Sequence, residues 1–180
     1  MASRDLSPPI CLRVAVIRAA VFAAWLLPTV TGCLCPGGAG TNRAAGEVAA
    51  REAERLLAEH RRTGGYPYQF GGNPRYDGAG RIVGGALDCS ALVQHCYRRA
   101  GVELPRVSRS QAAAGRKVSK RRLRRGDVLA FDTDGDGVIN HVGLYAGGGR
   151  MIHTHDGGGG IVEADLAGHW RRALVSARRP

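Results

Sequence analysis

"GGALDCSALVQHC", residues 84–96, puts a cysteine directly after an aspartate, where a glycine-rich loop gives way to a helical apolar pattern. Leu92, Val93, Cys96 and Tyr97 recur as the apolar positions of a helix and Gly101 supplies a stop signal, so a helix is expected from about Ser90 to Arg99. Asp88 can cap that helix, and Cys89 then takes its first position. Four roles are open to Cys89: a buried small residue, a disulfide partner, a metal ligand or a nucleophile. A cysteine used for packing sits mid-helix on the apolar stripe, as Cys96 does. At a helix start the unpaired backbone N–H groups and the helix dipole favour a thiolate, and the same groups can hold an oxyanion beside the sulfur. The placement points to a nucleophile with a lowered pKa, and to Cys96 as core. Seven helical residues separate the two sulfurs by roughly 10 Å, too far for one bridge.

Upstream, "AAGEVAAREAERLLAEHRR", residues 44–62, is rich in helix formers and carries a modest apolar stripe through Val48 and Leu56. Residues 64–85 are turn-rich, with the aromatic and glycine density of an ordered loop. Downstream, residues 115–127 carry seven basic side chains and few apolar ones; a solvated loop is expected, with anion docking as the sharper alternative. The periodicity then changes. "DVLAF", "HVGLYAG" and "RMIHTH" are short strand-like runs, the last two joined in a hairpin at "AGGGR". The remainder reads as a Gly-rich turn, a short amphipathic stretch around Trp170 and a last strand at "ALVSARR". Helices followed by antiparallel strands give an α+β domain.

A cysteine nucleophile needs a base, and the base an orienting partner. Strand alternation puts His141, Gly143 and Tyr145 on one face and Val142 and Leu144 on the other. The neighbouring strand of the hairpin supplies His153, where a ring nitrogen can orient the first imidazole. A rival reading makes His141, His153 and His155 zinc ligands, but it leaves the placement of Cys89 unexplained and no HExxH pattern accompanies it. In "DTDGDGVINHVG", residues 132–143, Asp132, Asp134 and Asp136 have the spacing of the first three ligands of a calcium loop, with Gly137 at the turn. The twelfth position is Gly143, where such a loop needs glutamate. A tight acidic hairpin with at most weak calcium binding is expected.

Taken in order, "PYQFGG", "LDCSALVQHCY", "LPRVSRSQAAAG", "LRRGDVLAF", "HVGLYAGGGRMIHTH" and Trp170 make the chain resemble, over about residues 64–180, the NlpC family of papain-like cell-wall cysteine peptidases. The resemblance implies a helix bearing the nucleophile packed on an antiparallel sheet. It implies Cys89 as nucleophile, His141 as general base and His153 as the residue that orients it. Tyr68 matches a tyrosine whose hydroxyl lies near the nucleophile, and Asp88 and Ser90 match residues flanking it in the cleft. The implied reaction is hydrolysis of amide bonds in peptidoglycan stem peptides, often between D-glutamate and a diamino acid, with no cofactor and no metal. Phe70 stands where tryptophan is common, and Ala91 replaces a usual glycine, which is expected to crowd the helix start slightly. An amidase or acyltransferase on another amide, and a lipid-anchored peptide-binding protein, are the alternatives.

The chain of 180 residues has room for one ordinary domain, and its formal net charge of +11 suits an anionic surface such as cell-wall polymer or lipid headgroups. A monomer with no nucleic-acid partner is expected. Arg4 and Arg13 precede "VAVIRAAVFAAWLLPTV", which Arg18 and Pro28 interrupt too soon for a membrane span, so residues 1–32 read as a secretory signal. "VTGC", residues 30–33, resembles a bacterial lipoprotein signal with Cys33 as the lipidated residue; an ordinary signal cut near Ala39 is the alternative. Residues 33–43 then form the lipidated end and a flexible tether, and residues 44–180 the peptidase domain of an exported protein anchored in the cell envelope. Of the five cysteines Cys35, Cys89 and Cys96 remain, which is no disulfide framework.

Overall fold

The helix that begins at Cys89 lies between two layers, and that position explains its composition. The computed structural model of the chain describes residues 39–180; the expected signal over 1–32 and the lipidation site Cys33 lie outside the described residues. Helix α1 spans Ala39–Thr63 and helix α2 spans Cys89–Arg99. Leu92, Val93, Cys96 and Tyr97 of α2 are all fully buried, as are its Ala91 and His95. A helix enclosed on nearly every side is covered on one face by another helix and on the other by a sheet. Here α1 and the central strands supply these layers.

α1 buries Ala45, Ala49, Ala50, Ala53, Leu56 and Leu57, so its contact face is built mainly of alanines that let the helices approach closely. Val48, expected on that stripe, is 43% exposed and lies off it. α1 also begins earlier than expected and takes in residues 39–43, read from the sequence as tether. Its outer face is laced by Glu47–Arg51 and Glu52–Arg55–Glu59 pairs at helical spacing.

Six antiparallel strands follow in the spatial order β3 (Arg116–Val118), β8 (Leu174–Arg179), β4 (Val128–Phe131), β5 (His141–Gly147), β6 (Arg150–His155), β7 (Gly160–Asp165). β4 is interior, and both of its faces are covered. Val128 and Ala130 join the core under α2, while Leu129 and Phe131 join a second cluster with Met151, Leu174 and Ala177 beneath Leu166 and Trp170. That is why "VLAF" reads as a continuous apolar run rather than an alternating one. Burying such side chains stabilises the fold by roughly 1.5–3 kcal/mol each. Helix α4 (Gly168–Ala173) carries Trp170, as the amphipathic stretch predicts. Two strands of this sheet are not legible in the sequence. β3 falls within the basic stretch and buries only Val118, and β7 was read as turn and amphipathic segment. A one-turn helix, α3 (Ser108–Gln111), was also missed.

The turn-rich loop before α2 folds into a small hairpin, β1 (Pro74–Tyr76) against β2 (Ile82–Gly85). Tyr76 stacks on buried His95 at 5.6 Å, and the Arg98 guanidinium lies 3.6 Å from the Tyr76 ring centre. His95 in turn meets Glu52 of α1 at 3.0 Å. Burial alone would raise the Glu52 carboxyl, but bonds from Arg55 and His95 hold it down at about 2. This chain of contacts pins the loop to both helices. At the other end of the sheet, Arg179 makes a buried two-pronged pair with Asp127 at 2.6 and 2.7 Å. Beside it Gly126 has φ 85°, and a Cβ there would collide with the Gly46 carbonyl of α1. No helix among the described residues is long and apolar enough to cross a membrane.

Candidate active site

Asp88 has extended backbone, φ −97° and ψ 176°, and its Oδ1 accepts the Ala91 N–H at 2.7 Å and the Ser90 hydroxyl at 3.0 Å. The expected cap is therefore formed. Ala91 donates the capping bond and is itself 2% exposed, so the residue expected to crowd this turn fits within it. A carboxylate as buried as Asp88 needs a counter-charge. Arg106 provides it, donating from Nη1 to Oδ1 at 2.9 Å and from Nη2 to Oδ2 at 2.8 Å. The same guanidinium bonds the Ser90 hydroxyl, the Gly72 carbonyl and Asn73 Oδ1. Arg106 lies within "LPRVSRSQAAAG", where its role is not legible from neighbouring residues. The usable signal was the aspartate itself, because a cap at a buried helix start demands a cation.

Cys89 and Cys96 are both free thiols, 8% and 0% exposed, so Cys96 is core as expected. Cys89 lines a cavity of about 390 Å³ together with Tyr68, Asp88, Ser90, Arg106 and His141, and Phe70 stands at its mouth 88% exposed. Tyr68 is brought there by a bridge to Leu87, next to the helix start. Across Tyr68 and His141 a second concavity of about 470 Å³ opens, lined also by His155, His169 and Trp170. The two form one cleft with the cysteine and histidine at its middle.

His141 begins β5 and His153 lies on β6, 1% exposed. His141 Nε2 and His153 Nδ1 are 3.0 Å apart with the rings perpendicular. That contact leaves His141 Nδ1 as its free ring nitrogen. Trp170 packs over both imidazoles, 5.2 Å from the His141 ring and 4.7 Å from the His153 ring, and its edge rests on Phe131. The arrangement covers His153, which is buried, while His141 faces the concavities on either side.

Burial pushes the Cys89 thiol above its ordinary value. The N–H groups of Val142, Ser90 and Cys89 itself pull the other way, and the Asp88 carboxylate adds to the rise. Burial lowers His141 to about 4, with repulsion from His155 adding to it, and lowers His153 to about 3, with His141 and His155 contributing. The pair therefore rests as neutral thiol and neutral imidazole. This corrects the expectation of a lowered thiol pKa: the helix-start N–H groups are in place, but desolvation outweighs them.

The three-histidine metal site does not form. His155 stacks parallel on His153 at 5.3 Å, and its Nδ1 accepts the Gly157 N–H at 3.1 Å, so the rings do not converge. Among the described residues, Asp132, Asp134 and Asp136 do bring three carboxylates within 4.8 Å of one another. Asp132 accepts the N–H groups of Gly135, Asp136 and Gly137, and Gly143 lies inside β5. The segment joins β4 to β5 as a hairpin, with Phe131 paired to His141.

A thiol at the start of a buried helix, sharing a cleft with a hydrogen-bonded imidazole pair on an antiparallel sheet, defines a papain-like α+β domain. The NlpC/P60 family pattern matches residues 65–179, and the chain belongs to that family. It is 38% identical over 128 residues to the bifunctional muramidase/DL-endopeptidase CwlT of Bacillus subtilis, covering 70% of this chain and 36% of that one. It is 30% identical over 126 residues to the murein DD-endopeptidase/LD-carboxypeptidase MepS of Escherichia coli, covering 69% of this chain and 61% of that one. Among solved structures it superposes on the peptidoglycan hydrolase RipB of Mycobacterium tuberculosis with a TM-score of 0.59 and 26% identity, over 79% of this chain and 68% of that one. The chain thus spans between about a third and three-fifths of these two curated relatives.

Proposed function

We propose that this protein is a cysteine endopeptidase of peptidoglycan, cutting the D-glutamyl–diamino acid bond of stem peptides and acting as a monomer. The observation that carries the reading is that His141, which lines the cavity holding Cys89, is backed by buried His153 at 3.0 Å. The B. subtilis relative named a DL-endopeptidase supports the bond. In the proposed reaction the Cys89 thiol gives its proton to His141 Nδ1 as the sulfur attacks the substrate carbonyl. Backbone N–H groups at the start of α2 receive the oxyanion. Protonated His141, held in orientation by His153, passes its proton to the departing amine, and water then releases the acyl group from the sulfur. No step uses a cofactor. Tyr68, Asp88 and Ser90 line the acyl side of the cleft, Asp88 and Ser90 held by Arg106. Export through the signal over 1–32, which the wall-acting relatives support, and lipidation at Cys33, which rests on the sequence "VTGC" alone, would hold the domain at the membrane facing the wall.

Digestion of purified peptidoglycan, with the products weighed by mass spectrometry, tests the function. Fragments ending in D-glutamate, paired with fragments that begin at the diamino acid, are expected. Cuts between two D-residues, the linkage named for the E. coli relative, would replace the bond but keep the enzyme class. Intact peptidoglycan beside turnover of another amide would favour the amidase or acyltransferase reading.

A further inference from the structure

The basic stretch is gathered around one concavity. β3 and the turn after it, with the end of β8, enclose about 740 Å³ lined by Arg116, Lys117, Arg121, Arg122, Arg124 and Arg179. No carboxylate lines it. Arg179 is held by Asp127, and Arg125, also in the stretch, turns to Glu47 and Glu54 of α1. The other five lining cations have no carboxylate within 4.0 Å among the described residues; basic side chains elsewhere are paired in some cases, as Arg51 and Arg81 are, and not in others, as with Arg75 and Arg99, and what sets the five apart is that they share one concavity. Uncompensated cations crowded along a short segment repel one another, and an anion seated among them relieves that repulsion.

The register places this concavity away from the cleft. Arg178, beside Arg179, pairs with Val128 at one end of β4, and His141 pairs with Phe131 at the other. An anion held here leaves the Cys89 cavity open. Arginine forks match phosphate oxygens two at a time, and four of the five free cations are arginines. The exposed large apolar side chains, Val48, Phe70, Val83, Val107 and Val175, do not line the site, so it offers no wedge for insertion into lipid. A concave wall whose charged side chains are all basic suits a flexible chain of phosphates better than a flat bilayer.

We infer that this concavity is a second binding site, separate from the catalytic cleft, for a flexible phosphodiester polymer. In the envelope location proposed above it would hold the enzyme on an anionic wall polymer; its chemistry does not depend on that location.

The test uses the full chain and a fluorescent glycerol-phosphate oligomer, with binding read by anisotropy over a salt series. Binding that weakens steeply with salt is expected, as counterions are released. The triple variant Arg121→Gln, Arg122→Gln, Arg124→Gln should lose about tenfold or more in affinity. Removing the same charge from α1, through Arg43→Gln, Arg51→Gln and Arg62→Gln, should cost about threefold or less. The oligomer should raise the melting temperature of the wild type and not of the first triple variant. Alkylation of Cys89 by iodoacetamide should proceed equally in all forms, whether or not the protein is a peptidase. Equal losses in both triple variants, or no binding at all, would overturn the site. Preference for phosphatidylglycerol vesicles or duplex DNA over the oligomer would overturn the assigned ligand. If the first triple variant fails to fold, the Lys replacements at the same positions keep the charge and lose the forks, and unchanged affinity there would overturn the role of the arginines.

Discussion

At Cys89 three backbone N–H groups converge on a sulfur whose burial still outweighs them, and His141 beside it is a weak base for the same reason. In the proposed mechanism the working pair would then form by proton transfer during attack rather than being stored as an ion pair. Thiolate absorbance in the ultraviolet should accordingly be absent at neutral pH and appear only above the ordinary thiol value of 9, and the Cys89→Ser variant should lack it. The acid limb of kcat/KM should lie near pH 4, where His141 takes up a proton. Absorbance that rises together with that acid limb would show a stored ion pair instead. Removing the base, His141→Ala, should lower kcat by ~10²–10⁴-fold. In the proposed mechanism His153 acts only through its 3.0 Å contact with His141, so His153→Ala should cost about tenfold, in kcat rather than KM. His153→Asn, which keeps a hydrogen-bonding group, should recover part of the loss. Equal effects of the two alanine variants would mean that His153 does more than orient.

The start of α2 is an assembled element rather than a free helix end. Asp88 caps it, Arg106 neutralises Asp88, and the same guanidinium ties in the loop carbonyl of Gly72 and the Asn73 side chain. Lysine has one charged centre and cannot serve both carboxylate oxygens and Gly72 together. Arg106→Lys should therefore destabilise the fold by about 1–3 kcal/mol, read from the urea midpoint, and should slow turnover by loosening the turn that carries Cys89. A variant with unchanged stability and unchanged rate would show that the fork is dispensable.

On the scale of the whole molecule, the two buried histidines make the fold sensitive to acid. An unfolded chain protonates histidine near 6.5, whereas His141 and His153 stay neutral in the fold down to about 4 and about 3. Between these limits the unfolded chain binds more protons, so the histidine part of the stability is full above about 6.5, falls as the pH falls, and is lost below about 3, while the Glu52 carboxyl, held at about 2, adds its own loss below about 4.5. The loss should amount to a few kcal/mol on the order set by the shifts, and His141→Gln with His153→Gln should flatten it. Urea midpoints across that range decide the point; a double variant with the wild-type slope would move the cause elsewhere. Anchoring belongs to this scale as well. Labelled palmitate fed to expressing cells should enter the full chain and be lost with Cys33→Ala, because one cysteine is proposed to carry the lipid. Equal labelling of both forms would remove the anchor.

Periodicity and local chemistry were enough to read the start of α2 at Cys89, its Asp88 cap, Cys96 as core, and the β5–β6 hairpin that pairs His141 with His153. Each of these depends on neighbours a few residues apart, where helix and strand repeats are written directly into the order of side chains. Ordered motifs carried the family as well. The edge strand β3 was illegible because it buries one residue in three, and β7 because its burial comes from pairing with β6. Arg106 acquired its role only when α2, the loop at Gly72 and the segment before α3 came together. The direction of the Cys89 shift was likewise a tertiary outcome: the sequence predicts the N–H groups that favour a thiolate, while the desolvation that opposes them exists only once α2 is enclosed. Local order encodes which groups meet within a turn or a strand pair, and only the packed chain decides how much water each of them keeps.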